Sequence, residues 1–389
     1  MMRLASHRNP FAELVHVNQA WIADRMNLIE ASGIRKAFEM SKAMKDPINL
    51  SIGLPDFDVA PPVKQAAIEA IEDGKNAYTV TQGIPALRGK IQKAVDEQFH
   101  HSDREVLITS GTSGALLLAL SSVINPGDEV IIFDPYFVMY GNLVHLSGGI
   151  PVYVDTYPDF QIDLQKVSAA ITLKTKCVIV NSPGNPTGAV TSADTMRALA
   201  LLCKERDVLL VSDAVYESFC DDQSFATPAT WNEDVLVVDG FSKAHGMTGW
   251  RLGFAHGPSR LIQEMAKLQQ FSFVCAPSIV QYAGVVALDQ DLKPQLKRYR
   301  AKRDLVVETL GDLFELLRPE GAFYAFPRAP WGTASEFVAE AIRHQLLIIP
   351  GNVFSRRDTH FRISYAVDDA TLRRGLEVLR NLAIQGQPL

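Results

Sequence analysis

Cysteine is scarce in this chain. There are four in 389 residues, Cys177, Cys203, Cys220 and Cys275. Their spacing matches no zinc-ligand, haem-attachment or redox pattern, so no metal or disulfide framework is expected. Cys177 and Cys203 lie in apolar runs and read as small core residues. Such usage fits a reducing, cytoplasmic compartment. An excess of basic charge is also missing. Lys and Arg number 38 against 44 Asp and Glu, for a net charge of −6 and a pI of about 5.9. Nucleic-acid binding would call for a basic face, so no nucleic-acid partner is expected. The one local basic cluster, KRYRAKR (297–303), reads as a solvated helix face. Long hydrophobic runs are absent too. None approaches the roughly 20 residues that a membrane-spanning helix needs. The first segment, MMRLASHRNPFAELVHV, has no apolar core of a secretory signal and reads as an ordinary N-terminal arm. Internal repeats and low-complexity tracts are lacking.

What remains is a chain that is 47% hydrophobic and 21% charged, long enough for about two domains. Short apolar runs punctuate its middle: EVLITS (105–110), EVIIFDP (129–135), IPVYVD (150–155), CVIVNSP (177–183), VLLVSDA (208–214), VLVVDG (235–240) and LGFAHG (252–257). Most are rich in Val and Ile and end at Gly, Pro, Asp or Ser, the pattern of buried strands. Helical stretches such as GALLLALSSVI and ADTMRALALLCKERD separate several of them. The alternation predicts an α/β fold, an open and mostly parallel sheet of about seven strands with helices on both faces. LGFAHG follows VLVVDG too closely for a helical crossover, so it is the candidate antiparallel strand. After about residue 290 a long charged helix leads to the short strand patterns GAFYAF, LLIIPG and HFRISYA, then to closing helices. This predicts a smaller α+β domain. The expected division is 55–289 for the large domain, and 1–54 together with 290–389 for the small one, with a helical segment to about residue 50.

Ligands bind an open parallel sheet beyond the carboxyl ends of its strands. Polar residues gather there. EVLIT runs into Ser110-Gly111-Thr112-Ser113-Gly114 at a helix start, an arrangement able to seat a phosphate on free N–H groups. It lacks the Walker lysine, and no GxGxxG follows a strand. CVIV runs into NSPGNPTG with Asn185, VLLV into Asp213 and Tyr216, and VLVV into Ser242 and Lys243, with Arg251 before the next run. Each piece alone has a plain structural reading as a turn, a cap or a surface charge.

The set SGTSG, NSPGNPTG, DAVY and SKAHGMTGWR, in this order and each at a strand end, resembles the class I/II aminotransferases, pyridoxal-phosphate enzymes of fold type I. NLSIGLPDF (49–57), AYTVTQGIPALR (77–88), DPYFVMY (134–140), IIPGNVF (348–354) and FRISYA (361–366) extend the resemblance from about residue 25 to near the C-terminus. It implies the following roles. Lys243 forms the Schiff base with pyridoxal 5′-phosphate and then acts as general base. Asp213 keeps the pyridine nitrogen protonated. Asn185 and Tyr216 bond the ring O3′. Gly111, Thr112, Ser113, Ser242 and Arg251 seat the phosphate, and Phe137 stacks on the ring. Tyr78 reaches the phosphate of the neighbouring subunit, which implies a homodimer. Gly53, Asn185 and Arg362 bind the substrate, with Arg362 clamping its α-carboxylate. The chain departs from many relatives at Gly240, where a hydroxyl is common, and Ser113 is the expected substitute. Arg356 and Arg357 read as solvated loop charges, with recognition of a second substrate carboxylate as the sharper reading. The implied activity is ping-pong transfer of an amino group from an L-amino acid, aspartate, alanine or aromatic, to a 2-oxo acid such as 2-oxoglutarate. A C–S β-lyase or an aminocyclopropane-carboxylate-forming lyase on the same fold is the nearest alternative. A non-catalytic sensing domain is a remote one.

Overall fold

The computed structural model describes residues 21–29, 33, 44–220 and 225–386. The helical segment expected up to about residue 50 falls largely outside these residues. Of it, a 3₁₀ turn Asp24–Leu28 and a two-residue strand β1 (Ile48–Asn49) are described.

All seven apolar runs are strands of one sheet: β2 (Glu105–Thr109), β3 (Glu129–Asp134), β4 (Ile150–Asp155), β5 (Thr175–Asn181), β6 (Leu209–Asp213), β7 (Leu236–Gly240) and β8 (Gly253–Gly257). Their spatial order is β2-β8-β7-β6-β5-β3-β4. β8 runs antiparallel to both its neighbours, and the remaining pairs are parallel. The period-2 alternation of side chains sends each strand into two cores. Val130, Ile132, Cys177, Ile179, Leu236 and Val238 pack with helices Gly111–Val123 and Ser259–Ser272. Ile131, Val178, Val180 and Val237 pack on the other face with helix Ala193–Glu205. Burial on both faces is why these strands read as unbroken apolar runs. Cys177 and Cys203 are fully enclosed in these cores, and burial pushes both thiols up to about 12.

The C-terminal part builds a second, smaller sheet from β9 (Tyr324–Ala325), β11 (Ile349–Pro350) and β12 (Phe361–Ser364), all antiparallel, with β12 central. β1 pairs in parallel with β10 (Leu346–Leu347), which carries the chain around Leu50 into the core formed by helices Lys293–Leu310, Ala334–Arg343 and Asp369–Gln385. The central place of β12 holds Arg362 rigidly.

One expectation holds only in part. Within KRYRAKR, Lys297 and Arg298 are exposed, while Tyr299, Lys302 and Arg303 are buried. That part of the cluster is not a solvated face, because Lys302 and Tyr299 meet Asp56 from a distant loop. A buried cation needs such a partner.

Candidate active site

A cavity of about 350 Å³ opens at the carboxyl ends of β5, β6 and β7. Its lining brings together Gly53, Thr112, Ser113, Phe137, Asn185, Asp213, Tyr216, Ser242, Lys243, Arg251 and Arg362. These side chains come from points more than 300 residues apart in the chain. Of the remaining sequence-derived candidates, Gly111 stands just behind the wall. A Cβ there would lie 2.4 Å from Arg251 Nη2, and its φ of +73° also favours glycine. Tyr78 is outside this cavity and 82% exposed.

Asp213 ends β6 and is buried. Tyr140 Oη donates to its Oδ2 at 2.7 Å, and the Val215 N–H donates to Oδ1 at 3.3 Å. Burial raises its carboxyl to about 6, against the opposing pull of the Tyr140 hydrogen bond and the Lys243 charge. Lys243 lies in the short turn of helix Phe241–Ala244 that follows β7. Its Nζ donates to the Gly53 carbonyl at 2.7 Å. Desolvation, helped by the like charges of Arg362 and Arg251, lowers its ammonium to about 8.

Arg362 is 1% exposed. Its Nη1 donates to Asn185 Oδ1 at 3.0 Å and its Nη2 to the Ser51 carbonyl at 2.6 Å, while Nε has no partner. Its guanidinium carbon lies 4.6 Å from the ring centres of both Tyr324 and Phe354. Asn181 links the two halves of the site. Its Nδ2 donates to the Asp213 carbonyl at 3.0 Å, and its Oδ1 accepts the Asn185 N–H at 2.9 Å. Tyr216 and Tyr324 share a hydrogen bond between their hydroxyls at 2.8 Å. Phe137 meets Tyr140 edge to face, with centroids 5.8 Å apart.

Arg251 adopts left-handed backbone with φ 56° and donates from Nη1 to the Thr248 carbonyl at 2.9 Å. Gly240 and Gly253 are paired across β7 and β8. A Cβ on Gly253 would lie 2.6 Å from Thr112 N, and one on Gly240 would lie 2.9 Å from Thr112 Oγ1. The two glycines therefore let the start of helix Gly111–Val123 press onto the sheet edge. A side chain at position 240 would press on Thr112 Oγ1, and also on Gly253 Cα at 3.0 Å and the Leu252 carbonyl at 3.1 Å.

Tyr140, Tyr324 and Asn181 are site residues that sequence reasoning did not single out. Tyr140 stands three places after Phe137, one helical turn away, so its spacing was a usable signal. Tyr324 carried none beyond its strand. Arg357 pairs with Asp155 at 2.6 Å, and Arg356 is exposed. Neither lines the cavity.

The model of the family "Aminotransferase class I and II" matches residues 45–379. A protein named "Putative aminotransferase YugH" from Bacillus subtilis (strain 168) is 38% identical over 92% of this chain and 97% of its own length. An "Aspartate/prephenate aminotransferase" from Thermus thermophilus is 38% identical over 88% of this chain and 92% of its own. The solved structure of an aspartate aminotransferase from Thermus thermophilus with maleate superposes with a TM-score of 0.88 at 34% identity, covering 93% of this chain and 99% of that one. The chain belongs to the class I and II aminotransferases and is a transaminase.

Proposed function

We propose that this transaminase works with pyridoxal 5′-phosphate held by the cavity residues, taking the amino group of an L-amino acid and passing it to a 2-oxo acid. The observation that carries this reading is the convergence of Lys243, Asp213 and Arg362 on one cavity, with the Lys243 ammonium lowered to about 8. The donor set fits the cofactor. Arg251, Ser242, Ser113 and the first N–H groups of helix Gly111–Val123 suit its phosphate, since an unsatisfied helix start and a guanidinium both favour an anion. Asp213 suits the ring nitrogen, Phe137 the ring face, and Asn185 with Tyr216 the ring oxygen. When bound, the cofactor supplies an electron sink for the substrate's Cα.

The chain's own groups then divide the work. Lys243 Nζ would hold the cofactor through its aldehyde carbon, and once released would move the proton at the substrate Cα. Arg362 would take the α-carboxylate, for which its unpartnered Nε and rigid fork are suited. Gly53 leaves the substrate close to backbone, because a Cβ there would strike the Tyr324 hydroxyl at 2.2 Å. The exposed Tyr78 supports a homodimer in which it completes the neighbouring site. The reading keeps the division of the chain into 55–289 and the remainder, and a cytoplasmic setting.

Relatives named for aspartate, aspartate/prephenate and aromatic amino acids make aspartate and the aromatic amino acids the donors to test, with prephenate as a candidate 2-oxo acid acceptor. The test loads the protein with pyridoxal phosphate and adds single amino acids without an acceptor. Conversion of the bound cofactor to its amine form, with a stoichiometric 2-oxo acid, is expected. Release of ammonia and pyruvate from cystathionine, with no conversion by any amino acid, would overturn the reading in favour of a lyase.

A further inference from the structure

The segment 51–57 gives the cavity two of its backbone contacts, the Ser51 carbonyl to Arg362 and the Gly53 carbonyl to Lys243. It follows β1 and has no regular secondary structure of its own. Asp56 pins its far end. Tyr299 Oη donates to Asp56 Oδ1 at 2.7 Å and accepts the Asp56 N–H at 3.1 Å. Lys302 Nζ donates to Asp56 Oδ2, and this pair is nearly enclosed, with side chains 5% and 10% exposed. The same ammonium donates to the carbonyl of Val367 and stands 3.7 Å from Asp369 Oδ1. Val367 lies three residues past the end of β12, the strand that carries Arg362. Phe57, next to Asp56, packs edge-on to Tyr299 at 6.1 Å and against the Gly246 turn just after Lys243.

We propose that Asp56 and Lys302 form a positioning brace that fixes the 51–57 segment against the Arg362 strand, so that the pair sets amino-acid affinity and not cofactor attachment. The inference rests on the substrate-binding reading of Arg362 and Gly53. The physical reason is leverage. One buried ammonium ties both backbone supports of the substrate seat, at a point that touches neither the cofactor's seat nor the reacting atoms. Loosening such a seat weakens substrate binding, because the ordering must then be done when the substrate binds.

The test compares wild type, Asp56→Asn, Lys302→Met and the double variant, all loaded with pyridoxal phosphate. The double variant removes both charges, so that no unpaired ion is left buried and folding is preserved. Backbone amide exchange over 51–57 is expected to speed up about tenfold in folded variants, with exchange in β5 to β7 unchanged. The KM for the amino acid is expected to rise about tenfold. The cofactor's dissociation constant should stay within about twofold of wild type, and kcat should fall by a smaller factor than KM rises, since the same segment carries the Gly53 carbonyl that Lys243 meets. The double variant should keep the raised KM, because the segment stays unpinned. Unchanged exchange in 51–57, or a double variant with wild-type KM, would overturn the brace. Equal losses in cofactor affinity and KM would also overturn it. A wild type that transfers no amino group from any amino acid would count against the functional reading, and the exchange measurement would still decide the brace.

Discussion

Lys243 Nζ and the carbonyl of Gly53 meet at 2.7 Å across 190 residues of sequence, and this bond aims the amine into the cavity between Asp213 and Arg362. Lys243 is partly buried and lies near two guanidinium groups, which is why its ammonium falls to about 8. At pH 7 about a tenth of such an amine is neutral, against well under a hundredth for an ordinary lysine. The rate at which cofactor-free protein captures pyridoxal phosphate should therefore climb with pH and level off near 8. Stopped-flow absorbance checks this. A rate still climbing tenfold per pH unit at 9.5 would show an ordinary lysine.

Asp213 offers a second pH signature. Its carboxyl stands at about 6 in the fold against 3.8 in an open chain. A raised carboxyl favours the fold fully below 3.8, and that advantage is lost as pH rises through 6. Above 6 the ionised group opposes folding of the cofactor-free protein by about 3 kcal/mol. Asp213→Asn should raise the melting temperature of cofactor-free protein at pH 7.5 and leave it unchanged below 3.8. The same substitution should weaken cofactor function strongly. Equal melting temperatures at pH 7.5 would contradict the burial argument.

The closeness of position 240 to Thr112 can be tested by substitution. Gly240→Ser places a Cβ 2.9 Å from Thr112 Oγ1 and should destabilise the protein by about 1–3 kcal/mol. Adding Thr112→Ala to Gly240→Ser should recover part of that loss, since Thr112 Oγ1 is the nearest neighbour, while Gly253 Cα at 3.0 Å and the Leu252 carbonyl at 3.1 Å remain. Denaturant titration of the four proteins gives the answer. Additive losses would mean that the two side chains do not compete.

Arg362 is the proposed carboxylate clamp. Arg362→Ala should lower kcat/KM for amino acids by a hundredfold or more, on the order of 3 kcal/mol, while changing cofactor affinity by only a few fold. Arg362→Lys should recover little, because a single ammonium cannot replace a guanidinium held by Asn185 and Ser51. Parallel loss of both properties would argue for a purely structural arginine.

Much of this architecture was legible in the sequence, for identifiable reasons. A strand buried on both faces must be apolar throughout, so β2 to β8 announced themselves, and the short gap before β8 gave its antiparallel sense. The motif residues at the strand ends met in one cavity because a parallel sheet delivers its carboxyl ends to one edge. Contacts set by distant partners were not legible. The bond from Tyr140 to Asp213 spans 73 residues, and that between Tyr216 and Tyr324 spans 108. The burial of Lys302 depends on Asp56, 246 residues away, and no local pattern distinguishes such a lysine from a solvated one.

The most direct test of the central claim is borohydride reduction of protein incubated with pyridoxal phosphate, followed by peptide mass spectrometry. The reduced pyridoxyl group is expected on Lys243 alone, with no borohydride-fixed label in Lys243→Ala. A label fixed on another lysine, in wild type or in Lys243→Ala, would contradict the assignment.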